Sequence, residues 1–432
     1  MDIDTPKGAK DFPPELKIPR QEIISKLIKI FETFGFSPLD TPIIERFDVL
    51  SAKYAGGAEI LKETFKLKDQ GDRDLALRYD LTVPLSRFLA MNPNLRLPFK
   101  RYQIGEVFRD GPIKAGRMRQ FTQSDVDVVG AKSMLADAEF VKIAQAFFKE
   151  IDVDVIIEIN NRKVLDGVLA GLQVPENKFI DVILAIDKLK KIDIKEIEKE
   201  LQQKGIKGKL VDELLKIFST KGTNTEKVEK LRKIIKTTTG IEGLNEIEQL
   251  LSYVDQKNVE FSISLARGLA YYTGTVFEVF LSKKEKINFT SSLAAGGRYD
   301  KMIGQFIGNN KEYPAVGISF GIEPITEVLK QKKQEKETDI KKTVTQVYII
   351  PIKTIKESLK IVEQLRNAGI NADMDLNERG ISKNLDYASA LNIPFVLFVG
   401  SKELSEKKVK LRDMKTGKEE LLKVDEAVSR LQ

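Results

Sequence analysis

Residues 108–130 read FRDGPIKAGRMRQFTQSDVDVVG. Runs with strand alternation, Glu106–Arg109, Arg119–Thr122 and Val126–Val129, surround a turn containing Gly111, Pro112 and Gly116, which is the pattern of antiparallel strands. Three arginines (Arg109, Arg117, Arg119) and the aromatic Phe121 crowd around that turn. Alternation puts Arg117 and Arg119 on one face, with Met118 and Gln120 on the other. Guanidinium groups grip phosphate oxygens bidentately and do not titrate, while an aromatic face stacks on a purine. A polar strand surface accounts for one such arginine; a cluster at a turn points to an anionic ligand.

Similar short runs lie on either side: Lys100–Ile104 upstream, and Phe261–Phe280 and Ala315–Gly321 downstream. Together they predict a large antiparallel sheet with helices on one side, an α/β (α+β) core. Ile23, Leu27 and Phe31 form a helical stripe within Ile18–Phe34, closed by Gly35. Pro38 and Pro42 confine the extended Phe36–Ile44 to an edge or interface. The stretch 166–247 has a helical pattern, and its residues 186–239 carry 15 Lys and Arg against 9 Asp and Glu. That suits either a solvated helix face or a basic arm for a polyanion. Residues 331–342 (QKKQEKETDIKK) lack apolar periodicity and predict a linker. Beyond it, strands Val344–Ile350, Ile370–Met374, Pro394–Val399 and Val409–Arg412 alternate with helices Thr354–Ala368 and Ser382–Leu391, a separate α/β domain over 343–432. The expected division is a core of 1–165 and 248–330, a helical insertion of 166–247, the linker, and that final domain.

Composition narrows the chemistry. The 432 residues carry a net charge of +7 and contain no Cys, no Trp and no His. Disulfides, thiolate nucleophiles, histidine-based triads and zinc sites of the usual ligands are excluded. Catalysis must rest on positioning and electrostatics from Arg, carboxylates, backbone groups and Mg²⁺, which favours phosphoryl or nucleotidyl chemistry. The phosphate loop G-x-x-x-x-G-K-[ST] is absent from the sequence. The N-terminus does not read as a signal peptide, and apolar runs such as Ile393–Gly400 are too short to span a bilayer. A cytoplasmic protein of a reducing compartment is expected.

Four further segments stand out. Leu265–Gly274 sets Arg267 and the pair Tyr271, Tyr272 in an apolar, glycine-punctuated stretch, and a buried Arg needs an anionic partner. Ala295-Gly296-Gly297-Arg298-Tyr299-Asp300 allows close backbone approach. Val316–Glu323 gives up side chains at Gly317 and Gly321. Asp80, in LRYDLTVP (residues 77–84), and Asp127 supply negative charge suited to an amine.

These segments, in their order, resemble the histidyl-tRNA synthetases, a family of class II aminoacyl-tRNA synthetases. KGAKDFPPEL (7–16), LRYDLTVPLSRFLA (77–90), the opening stretch 108–130, INNRKVLDGVL (159–169), LARGLAYYTGTVFEVF (265–280), AAGGRYDKMIG (294–304) and GISFGIEP (317–324) carry the likeness. The resemblance implies activation of L-histidine by ATP with Mg²⁺, then transfer to tRNA(His), in a homodimer without membrane attachment. It implies that Arg109 and Arg267 are catalytic and hold the α-phosphate and the substrate carboxylate. Histidine is expected at Asp80, Leu81, Thr82, Arg109, Gln123, Asp127, Arg267, Tyr271 and Tyr272, with Gly296-Gly297-Arg298 as a nearby wall. ATP is expected at Arg109, Arg117, Arg119, Phe121 and Glu323, and residues 346–432 resemble an anticodon-binding domain. The family's third motif ends in Glu-Arg where this chain has Glu323-Pro324, and its second motif has an acidic residue where this chain has Gly111. The γ-phosphate grip then passes to Arg117 or Arg119. A non-catalytic relative, the regulatory subunit paired with ATP phosphoribosyltransferase, resembles the same core but lacks the C-terminal domain. A chain that loads histidine and contains none is translated without consuming its own product.

Overall fold

The computed structural model describes residues 3–52, 61–113, 118–189, 192–206, 208–266, 271–309, 311–335 and 341–432. It divides into two compact units, one of Met1–Lys10 with Ile23–Lys332 and one of Asp11–Glu22 with Lys333–Gln432.

The first unit is built on strands β1 (Ser37–Pro38), β2 (Ile44–Arg46), β3 (Lys66–Lys68), β4 (Asp74–Leu77), β5 (Phe99–Phe108), β6 (Gln120–Val129), β7 (Val155–Asn161), β8 (Val259–Phe261), β9 (Thr275–Leu281), β10 (Ala294–Arg298) and β11 (Ala315–Gly321). Eight of them form one sheet in the order β1-β5-β6-β11-β10-β9-β7-β8, antiparallel except at the β1–β5 and β7–β8 edges. The remaining three make a small antiparallel sheet, β2-β4-β3.

The runs expected as separate strands on either side of Gly105 are one strand, as are those on either side of Ser124, and β5 and β6 pair along their whole length. Gly105 does not interrupt β5 because it makes room for a neighbour: a Cβ there would lie 2.3 Å from Arg78 Nη2. Arg78 passes over it to donate to the carbonyls of Glu106 and Thr41. Pro38 sits in edge strand β1, where a missing N–H costs no ladder bond.

The two faces of this sheet differ in chemistry. Tyr102 on β5, Val126 and Val128 on β6, Val316, Ile318 and Phe320 on β11 and Phe277 and Val279 on β9 are buried in the main hydrophobic core. There they join helix Met134–Glu150 and the Ile23–Phe31 stripe of helix Pro14–Thr33. Phe320 lies among Phe31, Phe147 and Phe148, with ring centroids 5.4–6.2 Å away. The opposite face carries Arg101, Gln103, Gln123, Asp125, Asp127 and Ser319, which the register sets side by side: Arg101 against Asp127, Gln103 against Asp125, and Ser319 against Asp125 on its other flank. A strand buried on both faces with one polar face is unusual, since buried polar groups need partners.

The expected helical stretch spans Arg162–Gly171 to Thr238–Tyr253, and its buried apolar residues, among them Val182, Ile197, Leu214 and Leu231, belong to the same hydrophobic cluster as the sheet. Helix Ile322–Glu335 takes in the start of the segment expected as a linker, and residues 336–340 lie outside those described.

The second unit holds β12 (Val347–Ile352), β13 (Ala372–Met374), β14 (Phe395–Gly400), β15 (Lys408–Asp413) and β16 (Glu419–Lys423) in the order β13-β12-β14-β15-β16, parallel over the first three and antiparallel beyond. Both faces of its centre are apolar: Val347, Ile349, Leu397 and Val399 fill one cluster, Tyr348, Ile350, Val396 and Phe398 the other. Strand β16 and helix Val424–Leu431 extend the unit beyond the expected elements.

Candidate active site

A cavity of about 550 Å³ lies over the polar face of the large sheet, lined by Gln123, Asp125, Asp127, Gly317 and Ser319. Its walls come from the segment entering helix Thr82–Met91 (Tyr79, Asp80, Thr82), the approach to β9 (Tyr271, Tyr272), Ser291 to Gly296 with Tyr299, and Glu323 and Pro324 at the start of helix Ile322–Glu335. Arg109, Met118 and Phe121 complete it.

Period-2 alternation along β6 polarises the cavity. Phe121 and Asp127 share a face six residues apart, about 20 Å at a strand rise of roughly 3.3 Å. At the Phe121 end, the Arg109 guanidinium lies 5.1 Å from the ring centroid and its Nε donates to the Tyr79 carbonyl at 3.1 Å. Beside them Glu323 accepts the Thr122 N–H at 3.2 Å. At the other end stand carboxylates. Asp80 accepts the Val83 N–H at 3.0 Å, in the first turn of its helix.

Asp127 is held from two sides: Tyr299 donates its hydroxyl at 2.5 Å, and fully buried Arg101 approaches at 2.9 Å. Only glycine fits against it, because a Cβ on Gly317 would stand 2.0 Å from Asp127 Oδ1. Burial and the Asp127 charge raise the Tyr299 hydroxyl well above its ordinary range, so it stays a donor. Asp125, one pleat along, is pushed up to about 7 by burial. Arg101 opposes that rise, and Asp127 and Asp80 add to it. Gln123 donates to Ser319 Oγ at 3.2 Å. Gln123 Oε1 and Asp125 Oδ1 are buried and accept no hydrogen bond. A face with orphaned acceptors calls for a ligand that brings donors.

Of the residues nominated from the sequence, Asp80, Thr82, Arg109, Phe121, Gln123, Asp127, Tyr271, Tyr272 and Glu323 line this one cavity. Arg117 and Arg267 lie outside the described residues. Leu81 is fully buried and offers its carbonyl to Arg101. Arg119 is not in the lining; it pairs with Asp110 at 3.1 Å and its stem packs over Gly8. Arg298 is corrected outright. Parity on β10 sends it to the helix side, where it pairs with buried Asp137 and with Asp300. Gly297 is no open wall either, since a Cβ there would meet the Thr275 carbonyl at 2.6 Å.

Tyr299, Asp125 and Arg101 were not nominated. Alternation counted through GGRYD assigns Tyr299 to the opposite face from Arg298, and the same count along β6 pairs Asp125 with Asp127. Among the described residues no group of three His, Cys, Asp or Glu is placed to hold a metal ion, and no helix is long and apolar enough to cross a membrane.

Residues 8–325 match the family model described as histidyl-tRNA synthetase, and residues 346–432 match the anticodon binding domain. The chain is 42% identical over 425 residues to histidine–tRNA ligase 1 of Bacillus cereus, covering 97% of both proteins. It is 38% identical over 403 residues to the histidine–tRNA ligase of Aeropyrum pernix, covering 92% of this chain and 90% of that one. The crystal structure of histidyl-tRNA synthetase from Nostoc superposes over the whole of both chains with a TM-score of 0.87 at 30% identity. The sheet, the cavity and these likenesses define an aminoacyl-tRNA ligase. Within that class, the chain belongs to the histidyl-tRNA synthetase family.

Proposed function

We propose that the cavity binds L-histidine and ATP, joins them as histidyl-adenylate, and that the histidyl group then passes to tRNA(His). The observation that carries this reading is the polarity of one continuous cavity: Arg109 against Phe121 at one end, and carboxylates with orphaned acceptors at the other.

The chemistry asks little of the protein beyond placement. The substrate carboxylate is already ionised, so its attack on the α-phosphorus needs no protein base, and pyrophosphate leaves. Holding the two anions in line contributes roughly 7–11 kcal/mol, and a guanidinium at the phosphorus stabilises the added charge. Arg109 takes that position, with Phe121 stacked on adenine. Arg267 supports the α-phosphate, and Arg117 or Arg119 reaches the γ-phosphate in place of a third-motif arginine. Asp80, Thr82 and Gln123 receive the substrate ammonium; Asp127, Tyr271 and Tyr272 surround the imidazole. Glu323 is the carboxylate on that side of the cavity that would hold a Mg²⁺ bound with the ATP phosphates, and the ion would supply neutralisation of their charge.

The wider reading assigns residues 343–432 to the anticodon, 166–247 to a clamp on the acceptor arm, 1–165 with 248–330 to catalysis, and 331–342 to a linker. A homodimer is supported by the exposed Ile43, Ile44 and Leu67 at the small sheet. The test is charging of purified tRNA with labelled histidine, in the cytoplasmic conditions of a reducing buffer. Folded protein that charges no tRNA would favour the non-catalytic relative. Arg109→Ala is expected to slow adenylate formation about 10²–10³-fold, the usual cost of one electrostatic donor.

A further inference from the structure

Asp127, the carboxylate the sequence nominates for the imidazole, already has both oxygens engaged, by the Tyr299 hydroxyl and by Arg101. Asp125 differs. It shares the cavity face, it is buried, and its Oδ1 accepts no hydrogen bond. Of its flanking neighbours, Gln103 is committed to the Thr41 hydroxyl. Ser319, whose Oγ accepts from Gln123, gives its own hydroxyl to the Asp125 carboxylate and leaves Oδ1 unpartnered. Two adjacent carboxylates thus share one buried guanidinium, and the acidic end is short of one positive charge. Arg78, whose N–H groups go to the carbonyls of Glu106 and Thr41, adds a second positive charge felt by Asp125. Asp80 adds a third carboxylate and the Tyr299 hydroxyl stays neutral, so the shortfall of one remains.

We propose that Asp125 fits the acidic end of the cavity to an imidazole by sharing one proton with the ring, so that histidine binds with a coupled exchange of protons. This rests on the reading of the cavity as a histidine site. A neutral ring receives the proton from the Asp125 carboxyl, giving imidazolium beside carboxylate. A ring that arrives charged instead releases the Asp125 proton to solvent. Where carboxylate and ring are both unprotonated, the pair takes one proton from solvent, so every route ends with one proton between the two groups. The buried carboxyl supports this, because it is raised to about 7, close to the ring's own value of about 6.5.

The proton count gives a sign. At low pH the free site and the free ring hold two protons between them, and at high pH none, whereas the complex holds one. Histidine binding therefore releases protons on the acid side of about pH 6.5–7 and takes them up on the alkaline side. A permanently ionised Asp125 would give no release on the acid side, because the free site would then have no proton to lose.

The experiment is titration calorimetry of the whole protein with L-histidine, in buffer pairs of different ionisation enthalpy. Near-stoichiometric proton uptake is expected at about pH 8, and net release at about pH 6. Asp125→Asn should abolish the uptake at the higher pH and weaken histidine roughly tenfold to a hundredfold, the range of a hydrogen bond to a charged group. Because the wild-type measurement stands alone, the inference does not depend on the variant folding. Histidine binding at pH 8 without proton uptake, or uptake that survives in Asp125→Asn, overturns the inference and leaves the histidine reading intact. No histidine binding by the wild type at either pH overturns both.

Discussion

The two principal sheets bury polar groups in opposite ways. In the C-terminal unit the polar side chains around buried Asp375 and Asn384 close on themselves. Arg379 donates to Asp375 at 2.9 Å and to the Tyr348 hydroxyl at 2.8 Å, Tyr348 donates to Asn384 at 3.2 Å, and Asn384 donates back to Asp375 at 3.1 Å. In the large sheet the polar row is open: Arg101 Nε and Nη1, Gln123 Oε1 and Asp125 Oδ1 have no partner. A satisfied network stiffens a fold. An unsatisfied one is retained where a ligand completes it. The contrast separates structure from binding site more sharply than residue type does, since both networks use Asp, Arg and Tyr.

The largest expected effect falls on the apolar side of the large sheet. Phe320→Ala removes a ring from the Phe31, Phe147 and Phe148 cluster and should cost about 3–5 kcal/mol in denaturant unfolding. The substrate site should change little in variants that remain folded. On the opposite face of the same strand, Gly317→Ala drives a Cβ into Asp127 and the Val126 carbonyl. Because misplacement of about 1 Å costs on the order of 10²-fold, the histidine-dependent exchange rate should fall by about that factor while helix content by circular dichroism is kept. A loss confined to stability would erase the distinction between the two faces.

In the closed network, Asp375→Ala leaves buried Asn384 short of an acceptor and should cost about 1–3 kcal/mol. Hydrogen exchange should register it in β12 and β14 before β6. The acid limb gives the smallest effect. Burial pushes Asp375 upward, but hydrogen bonds from Asn384 and Arg379 outweigh it, and its pKa lies below the ordinary value. A carboxylate lowered in the folded state adds stability that is complete above its unfolded pKa of about 3.9 and is lost as pH falls through the folded value. Wild type should therefore lose more stability than Asp375→Asn between about pH 5 and 3. Parallel curves would remove this role.

Much of this was legible in the residues. The Ile23–Phe31 stripe, the glycine-punctuated β11 and the strand–helix alternation after residue 343 correspond to observed elements, because period and turn chemistry are local properties. Most of the nominated site residues share one cavity for the same reason: their segments combine charge, glycine and aromatic rings in ways a plain strand does not need. What was missed is register. Arg298 is expected in a wall beside the site with Gly296 and Gly297, but the pairing of β10 with β9 and β11 gives it the parity that leads to Asp137. Strand β6 likewise displays Asp125 beside Asp127, but that Asp127 is already paired depends on Arg101 and Tyr299 arriving from other parts of the chain. Such facts are tertiary, and a motif carries no trace of them.

The central claim is that the open polar row is a histidine site coupled to nucleotide chemistry. Amino-acid-dependent exchange between ATP and labelled pyrophosphate, run with each of the standard amino acids on the purified chain, tests it most directly. The account predicts exchange with histidine and background with the rest. Exchange driven by another amino acid, or by none in folded protein with saturating Mg²⁺, would contradict it.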